Sequence, residues 1–281
     1  LAGGIAADAE AFAKERDIPH WSLDLEECLS RDGVEAVILT TPNQVHCAQV
    51  EMALDMGKHV LVEIPMGISL AESQRIAALE AEKGLVCMVC HTQRYTGAFR
   101  EVFRRVREGE LNLYHIVQQT YFFRRRNENR FGKKRTWVDD LLWHQACHMV
   151  DMCYWILDDP RMEAWGQVGA LHPELEIPMD ITIGMRSEDG CLVSSAQSFN
   201  NHGPISSDYR FIGEEATLLV QGGRLTDHEG VEIAVPKGGG VGDQDREFFA
   251  AIAEGRQPLT SCRACLPTME TLDRIQQAID A

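Results

Sequence analysis

The chain has 281 residues, of which 44% are hydrophobic and 25% are charged, and its formal net charge is −16 at pH 7. This composition excludes disordered and fibrous proteins, and the length suffices for two ordinary hydrophobic cores, so we expect two domains. The negative charge argues against nucleic acid or an anionic membrane as the partner and favours a small molecule. No apolar run reaches the roughly 18 to 20 residues of a membrane span. Nine cysteines without tight spacing favour reduced thiols and a cytoplasmic location.

The first part of the chain alternates between helical patterns and short apolar strands. Residues 7–16 carry apolar side chains at helical spacing, residues 34–41 form a β-branched run, and residues 43–58 are again helical. Two further strands are predicted around HVLVEIP and LVCMVCHTQ, with a helix between them that begins at the capping residue Ser69. Strand and helix units that repeat about every 30 residues predict a doubly wound parallel sheet within residues 1–93.

Residues 94–281 have a different pattern. A helix, a long strand, a basic loop and a second helix are expected within residues 97–157. Alternating segments joined by Gly, Asp and Asn turns follow, and a helical stretch with a Gly-Arg-Gln-Pro break extends from about Asp243 to Ala281. This order predicts an α+β domain with an open, mostly antiparallel sheet.

Polar residues and prolines follow the ends of the three strands predicted in the first domain. Ligands of parallel α/β sheets bind beyond the carboxyl ends of the strands. We therefore expect a small-molecule site near Thr41, Pro42, Asn43, Glu63, Pro65 and Thr92.

Four motifs, taken in order, resemble those of the Gfo/Idh/MocA oxidoreductases over essentially the whole chain. They are TPNQVH (41–46), GKHVLVEIP (57–65), HTQRY (91–95) and HQACHMVD (144–151). The resemblance implies a Rossmann domain, an open-faced sheet domain, and hydride transfer between a nicotinamide cofactor and a secondary alcohol or its carbonyl. The glycine-rich segment of such domains would lie before Leu1, so we expect an N-terminally truncated Rossmann domain.

The resemblance also implies which residues contact the cofactor. Those on the nicotinamide side would be Thr41, Pro42, Asn43, His46, Glu63 and Pro65, with Glu63 near the ribose. Gly3 and Gly4 correspond to the end of the second strand, where an acidic residue selects NAD. Because neither glycine offers a carboxylate, NADP is favoured and NAD stays open.

Two positions depart from the general family pattern. Ile64 stands where members usually have a lysine that acts on the substrate hydroxyl, and His144 stands where they usually have an aspartate. Both departures resemble members that oxidise a cyclic hemiacetal in aromatic-acid catabolism. A hemiacetal hydroxyl is more acidic than a plain alcohol, so a neutral imidazole poised near pH 7 is a sufficient base. His148 is assigned as this base, and His144, one helical turn before it, as its partner or as a substrate contact.

A carboxylated substrate requires guanidinium groups, which bind carboxylates through paired hydrogen bonds. The stretch RRRNENRFGKKR (124–135) supplies them in an otherwise acidic chain. Because alternate residues of a strand point to opposite faces, we assign Arg124 and Arg126 to the site and add Arg94 from HTQRY. Asp151 is expected to contact the substrate or orient a histidine ring from the same helix.

Alternative functions stay open. A non-catalytic sensor of dinucleotide and ligand would explain the missing lysine, and a sugar or dihydrodiol dehydrogenase would not need the arginines. No metal is expected, because Cys87-x-x-Cys90 and Cys262-x-x-Cys265 are much farther apart than the about 15 to 20 residues between the two pairs of a zinc ribbon. His144, Cys147 and His148 resemble a metal-binding helix face, but hydride transfer needs no metal.

The resemblance further implies self-association. Family members commonly pair through the open face of the second sheet, so we expect a homodimer or a higher oligomer. Alternating apolar residues such as Ile181, Ile183 and Met185 are expected at that contact.

Overall fold

The protein is described by a computed structural model that covers residues 1–128, 132, 134, 135, 137 and 140–281. A three-stranded parallel sheet in the order β1-β2-β3 organises the first part of the chain. Its strands are β1 (Ala36–Leu39), β2 (His59–Val62) and β3 (Cys87–Val89). Val60 lies opposite both Val37 and Cys87, so the three strands end at the same edge.

Four α-helices belong to this region: α1 (Ala6–Glu15), α2 (Leu25–Leu29), α3 (His46–Asp55) and α4 (Leu70–Lys83). The amide of Glu72 donates to the Ser69 hydroxyl at 3.3 Å, which satisfies one free donor at the start of α4. α4 ends at Gly84, whose φ of 64° is a left-handed conformation that glycine adopts without steric cost. Both ends of α4 are therefore encoded locally.

The second sheet has seven strands in the order β10-β9-β8-β4-β7-β6-β5. All neighbouring pairs are antiparallel except β4 with β7. Together with the parallel sheet, this arrangement confirms the predicted fold class. The strands are β4 (Leu113–Tyr121), β5 (Glu163–Val168), β6 (Asp180–Arg186), β7 (Leu192–Ser198), β8 (Ser206–Gly213), β9 (Thr217–Gln221) and β10 (Arg224–Thr226).

Helices of the second part are α5 (Gly97–Arg107), α6 (Cys147–Leu157), α7 (Val241–Glu254) and α8 (Leu266–Asp280). A π-helical segment, Leu141–Ala146, leads directly into α6. None of the helices in the described ranges combines the length and apolar character that crossing a membrane requires.

The end of the chain returns to the first sheet. Ser261 bridges Met88 of β3, and the amide of Cys262 donates to the carbonyl of Cys87 at 2.9 Å. The amide of Val89 donates to the carbonyl of Thr260 at 2.8 Å. The first sheet ends with β3 and the second begins with β4, and the segment before α8 packs on the first sheet.

The apolar face of β6 points inward. Ile181, Ile183 and Met185 belong to the main hydrophobic core, together with Ile275 of α8. The prediction that these three residues form a contact with a second copy was wrong, because strand alternation leaves two faces and the apolar one packs on the helices of the same chain. The other face of β6 includes Gly184, beneath the exposed ring of Trp165.

Candidate active site

A cavity of about 360 Å³ lies beyond the carboxyl ends of β1 and β2. Predicted cofactor residues line it: Thr41, Pro42, Asn43, His46 and Glu63. The two predicted catalytic residues, His144 and His148, line the same cavity. The tertiary structure thus brings the strand ends of the first domain to the helical segment of the second.

His46 connects the two strand ends. Its Nδ1 lies 2.8 Å from the carbonyl oxygen of Pro65, and its Nε2 lies 2.8 Å from that of Thr41. Pro65 therefore contributes its backbone carbonyl to this contact, and the His46 ring holds the two strand ends of the cavity wall together.

Asn43 and Glu63 are the polar groups suited to a ligand on this side. The Oδ1 atom of Asn43 is buried and accepts no hydrogen bond from the described residues. The Glu63 side chain is exposed, yet the atoms packed around its carboxylate raise its pKa, while the Ile64 amide and His46 oppose that shift. A buried acceptor beside a carboxylate fits the amide and ribose hydroxyls of a nicotinamide riboside.

A second cavity, of about 410 Å³, shares Thr40 and Thr41 with the first and is also lined by Gly3. Gly3 and Gly4 have φ values of 93° and 83°, and the Gly3 amide donates to the carbonyl of Ser22 at 2.9 Å. Gly4 is outside both cavities as the described residues define them. No carboxylate of the described chain lines the second cavity, so this region does not distinguish NAD from NADP further.

His144 and His148 are positioned by the junction of the π-helical segment and α6. The carboxylate of Asp140 accepts a hydrogen bond from the Trp143 amide at 2.6 Å and thereby caps the segment. Burial lowers the pKa of His148 to about 4, with contributions from the charges of His91 and His144. The ring is neutral at pH 7, but its pKa is well below the predicted value near 7.

Ile64 completes the wall between Glu63 and the histidines, and it is 5% exposed. An isoleucine cannot transfer a proton. The wall at this position is therefore apolar, and the imidazole rings of His144 and His148 are the nitrogen bases among the described residues that line the cavity.

Among the described residues, Arg135 is the arginine that lines the cavity, beside Trp137. Arg135 donates from Nε to the Asn127 side chain at 3.2 Å, and its guanidinium lies 5.4 Å from the centre of the Trp137 ring. Sequence reasoning missed both residues, although Arg135 ends the basic stretch. Both residues lie beyond the end of the strand, so the alternation of strand residues between two faces does not predict where their side chains point.

The predicted arginines lie elsewhere. The guanidinium of Arg124 packs 5.3 Å from the Phe199 ring centre, and Arg126 is exposed. Neither is among the described residues that line the cavity.

Arg94 and Asp151 form a buried ion pair away from the cavity. Arg94 donates to both carboxylate oxygens, from Nε at 2.8 Å and from Nη2 at 2.6 Å, and Thr268 donates to Asp151 at 3.0 Å. The histidine nearest to this carboxylate is His91, whose Nδ1 lies 3.3 Å from Oδ2. The structure therefore gives Arg94 and Asp151 an interior role and does not bring them to the cavity.

Two buried groups of side chains that contain cysteine are candidates for metal binding. Donor atoms of His91, Asp151 and Cys265 lie within 4.8 Å of one another, but the guanidinium of Arg94 holds both oxygens of Asp151 and disfavours a cation there. The sulfurs of Cys87 and Cys262 are 3.1 Å apart despite their separation in the chain. Burial raises the pKa of Cys262 and Cys265 well above the usual value, so both thiols are protonated at pH 7.

Comparison with known proteins decides the family. Residues 3–91 match the oxidoreductase family with the NAD-binding Rossmann fold, and residues 97–238 match the C-terminal domain of bacterial oxidoreductases. The chain belongs to the Gfo/Idh/MocA oxidoreductase family. It is 38% identical to 4-carboxy-2-hydroxymuconate-6-semialdehyde dehydrogenase of Sphingobium sp. (strain NBRC 103272 / SYK-6), over 98% of this chain and 88% of that protein.

Solved structures agree on the fold. An oxidoreductase of Thermotoga maritima matches with a TM-score of 0.86 at 20% identity, covering 99% of this chain and 86% of that one. Levoglucosan dehydrogenase in complex with NADH and L-sorbose matches with a TM-score of 0.84 at 18% identity, with the same coverage. The family membership makes the protein an NAD(P)-dependent oxidoreductase acting on CH-OH groups, related to aromatic-acid and sugar dehydrogenases.

Proposed function

We propose that the protein oxidises a carboxylated cyclic hemiacetal, or a related hydroxy substrate of aromatic-acid catabolism, with His148 as the base. The observation that carries the proposal is one cavity in which His144, His148 and Arg135 lie beside Asn43 and Glu63. The relative from Sphingobium supports it, because its name specifies a carboxylated semialdehyde as substrate.

The strand-end side of the cavity would hold the nicotinamide half of the cofactor. The unpartnered Oδ1 of Asn43, within the described part of the chain, suits an amide donor, and Glu63 suits ribose hydroxyls. Bound NAD(P)⁺ supplies the hydride acceptor of the reaction.

His148 would take the hydroxyl proton as a hydride leaves the carbon that bears this hydroxyl, so the hemiacetal becomes a lactone. The ring is neutral at pH 7 and can accept a proton, although a pKa of about 4 makes it a weak base. Carboxylates of a bound substrate favour the imidazolium and raise this pKa during the reaction. His144 would form a hydrogen bond to the substrate from the same helical stretch.

Arg135 and Trp137 would recognise the substrate. A guanidinium binds a carboxylate through two parallel hydrogen bonds. An indole ring offers a flat apolar face to a planar or nearly planar ring. A carboxylate on a ring matches both groups at once.

The test is reduction of NAD or NADP with 4-carboxy-2-hydroxymuconate-6-semialdehyde, followed by the absorbance of the reduced nicotinamide. His148→Ala should lower kcat by about 10² to 10⁴, the usual contribution of general acid-base catalysis. Cys147→Ala, a matched change at the neighbouring buried residue, should retain activity. Equal activity of both variants would exclude His148 as the base.

A sugar dehydrogenase is the second candidate, because scyllo-inositol 2-dehydrogenase (NAD(+)) of Bacillus subtilis (strain 168) is 36% identical over 37% of this chain. Turnover of scyllo-inositol at a rate that Arg135→Ala does not change would support it. Turnover of the semialdehyde alone, with a loss in Arg135→Ala, would exclude it.

A further inference from the structure

The described residues of the basic stretch 124–135 pair with each other beside the cavity. Glu128 forms an antiparallel bridge with Lys134, and the amide of Arg135 donates to the carbonyl of Asn127 at 2.8 Å. Asn127 and Arg135 therefore lie directly opposite each other, one position beyond that bridge. Side chains of opposite residues in an antiparallel pair project to the same face. Because Arg135 lines the cavity, Asn127 shares the face that presents the guanidinium.

The side chain of Asn127 contacts Arg135 at two points. Its Oδ1 accepts a hydrogen bond from Nε of Arg135 at 3.2 Å, and its Nδ2 donates to the carbonyl of Arg135 at 3.2 Å. The first bond holds the guanidinium, and the second holds the backbone that carries it. Asn127 is not among the described residues that line the cavity, so we assign it an action on Arg135 and not on a ligand.

Trp137 is a second neighbour of the same guanidinium. The central carbon of the Arg135 guanidinium lies 5.4 Å from the centre of the Trp137 ring, and both residues line the cavity. The ring contact and the hydrogen bond at Nε together restrict the rotation of a long side chain. A side chain that is already ordered loses less conformational entropy when it binds a ligand, so the restriction favours binding.

The lack of charge on asparagine also suits this position. An amide oxygen accepts from a guanidinium without neutralising it, so the positive charge is kept for a substrate carboxylate. An aspartate in place of Asn127 would form an ion pair with Arg135 and compete with that carboxylate. Because the Nε–H group donates to Asn127, a bound carboxylate would accept from the Nη1 and Nη2 groups.

We propose that Asn127 positions the Arg135 guanidinium and thereby sets the selectivity of the cavity for carboxylated ligands. This inference rests on the proposed recognition of a carboxylate by Arg135 and adds Asn127 as a positioning residue. Two variants separate its contributions. Asn127→Ala removes both hydrogen bonds of the side chain, whereas Asn127→Asp keeps an acceptor for Nε and adds a negative charge.

The first test measures the motion of Arg135 without any ligand. In protein labelled with ¹⁵N in arginine, the heteronuclear NOE of an Nε–H group reports picosecond to nanosecond motion. The signal of Arg135 is assigned by its loss in Arg135→Lys. We expect a rigid Nε–H in the unchanged protein and in Asn127→Asp, and a mobile one in Asn127→Ala. Asn201→Ala removes a bond from a loop asparagine to the carbonyl of Pro204 and should leave Arg135 rigid.

The second test measures the binding of phthalate, a planar ring with two carboxylates, by isothermal titration calorimetry. Asn127→Ala should weaken binding roughly three- to tenfold, which corresponds to one ordinary hydrogen bond. Asn127→Asp should weaken it at least as much, because the new carboxylate competes for Arg135. Asn201→Ala should bind phthalate as the unchanged protein does. With the semialdehyde, KM should rise by a similar factor in Asn127→Ala and kcat should change little, since the contact is the same before and during the reaction.

The background Arg135→Lys separates positioning from local stability. Lysine keeps a positive charge but has a methylene group where arginine has Nε, so Asn127→Ala should not weaken phthalate binding further there. A loss of equal size in both backgrounds would show that Asn127 only stabilises the chain locally, and it would overturn the proposal. A rigid Nε–H of Arg135 in a folded Asn127→Ala would overturn it as well, as would phthalate binding by Asn127→Asp that matches the unchanged protein.

These outcomes also separate the inference from the proposed function. Neither the relaxation measurement nor the calorimetry needs turnover, so both results stand even if the semialdehyde is not the substrate. Absence of phthalate binding by the unchanged protein would overturn the selectivity for carboxylates. Phthalate binding that depends on Asn127, without any turnover of the semialdehyde, would support the inference and count against the proposed reaction alone.

Discussion

Two polar clusters share the helical stretch 141–157 but differ in their surroundings. The cavity cluster contains Glu63, Arg135, His144 and His148, and it lines an open space of about 360 Å³. The buried cluster contains His91, Arg94, Asp151 and Thr268, each at most 2% exposed. The buried charges neutralise each other, as the interior requires. The cavity groups face space in which a ligand can be bound, and this difference separates charges with a structural role from those that we propose to bind a ligand.

The largest expected effect is on the buried cluster. Arg94→Ala leaves the Asp151 carboxylate without its cation in the interior and should lower the free energy of unfolding by about 3 to 5 kcal/mol. Urea unfolding measures this loss, and Arg126→Ala, at an exposed arginine, should leave the midpoint unchanged. A midpoint for Arg94→Ala equal to that of the control would show that the pair is not desolvated.

The pH dependence of stability should reveal His91. Its pKa is about 4 in the folded protein and about 6.5 in an unfolded chain. Between these values the unfolded chain binds a proton that the folded one does not, so stability is lost as the pH falls from 6.5 toward 4. His91→Phe removes this proton, and the stability difference between the two proteins should change by about 1.4 kcal/mol per pH unit in this window.

The unchanged protein must be compared with the His91→Phe variant, because protonation of Glu80 changes the stability of both in the opposite direction. Burial raises its pKa to about 7, so the folded protein gains stability as Glu80 is protonated. This contribution cancels in the difference between the unchanged protein and the variant. A difference independent of pH from 7 to 4 would mean that His91 has an ordinary pKa.

In the cavity cluster, the apparent affinity for the substrate should depend on Arg135. Arg135→Ala removes charged hydrogen bonds to a carboxylate, which are worth about 1.5 to 3 kcal/mol, and should raise KM by roughly 10- to 100-fold. Unfolding by urea should be unaffected. Arg124→Ala and Arg126→Ala are the matched comparisons, and a larger rise in KM for either one would restore the assignment made from strand alternation.

The smallest effect concerns the cofactor. Glu63→Gln keeps the shape of the side chain but removes its charge, and the loss of about 1 kcal/mol should weaken NAD(P) binding roughly fivefold. Fluorescence titration with reduced nicotinamide cofactor measures the change. Glu82→Gln, on the exposed side of α4, should bind as the unchanged protein does. Equal affinities for both variants would exclude a ribose contact by Glu63.

Much of the fold could be predicted because its signals are local. The cap at Ser69, the β-branched strands and the helical spacing of His144 and His148 each depend on a few neighbouring residues. The π-helical segment before α6 was not predicted, because π and α patterns differ by a fraction of a residue per turn. The return of residues 260–262 to β3 carries no local signal at all.

The sequence by itself determined the two-domain class, the location of the predicted cofactor residues at the strand ends, and the pair of histidines that lines the cavity. Periodicity, caps and motif order suffice for these, since all of them act over short stretches of chain. Only the tertiary structure decided that Arg135 enters the cavity while Arg94 and Asp151 neutralise each other beside His91. Burial and the pairing of charges depend on which distant segments meet, and no spacing along the chain contains that information.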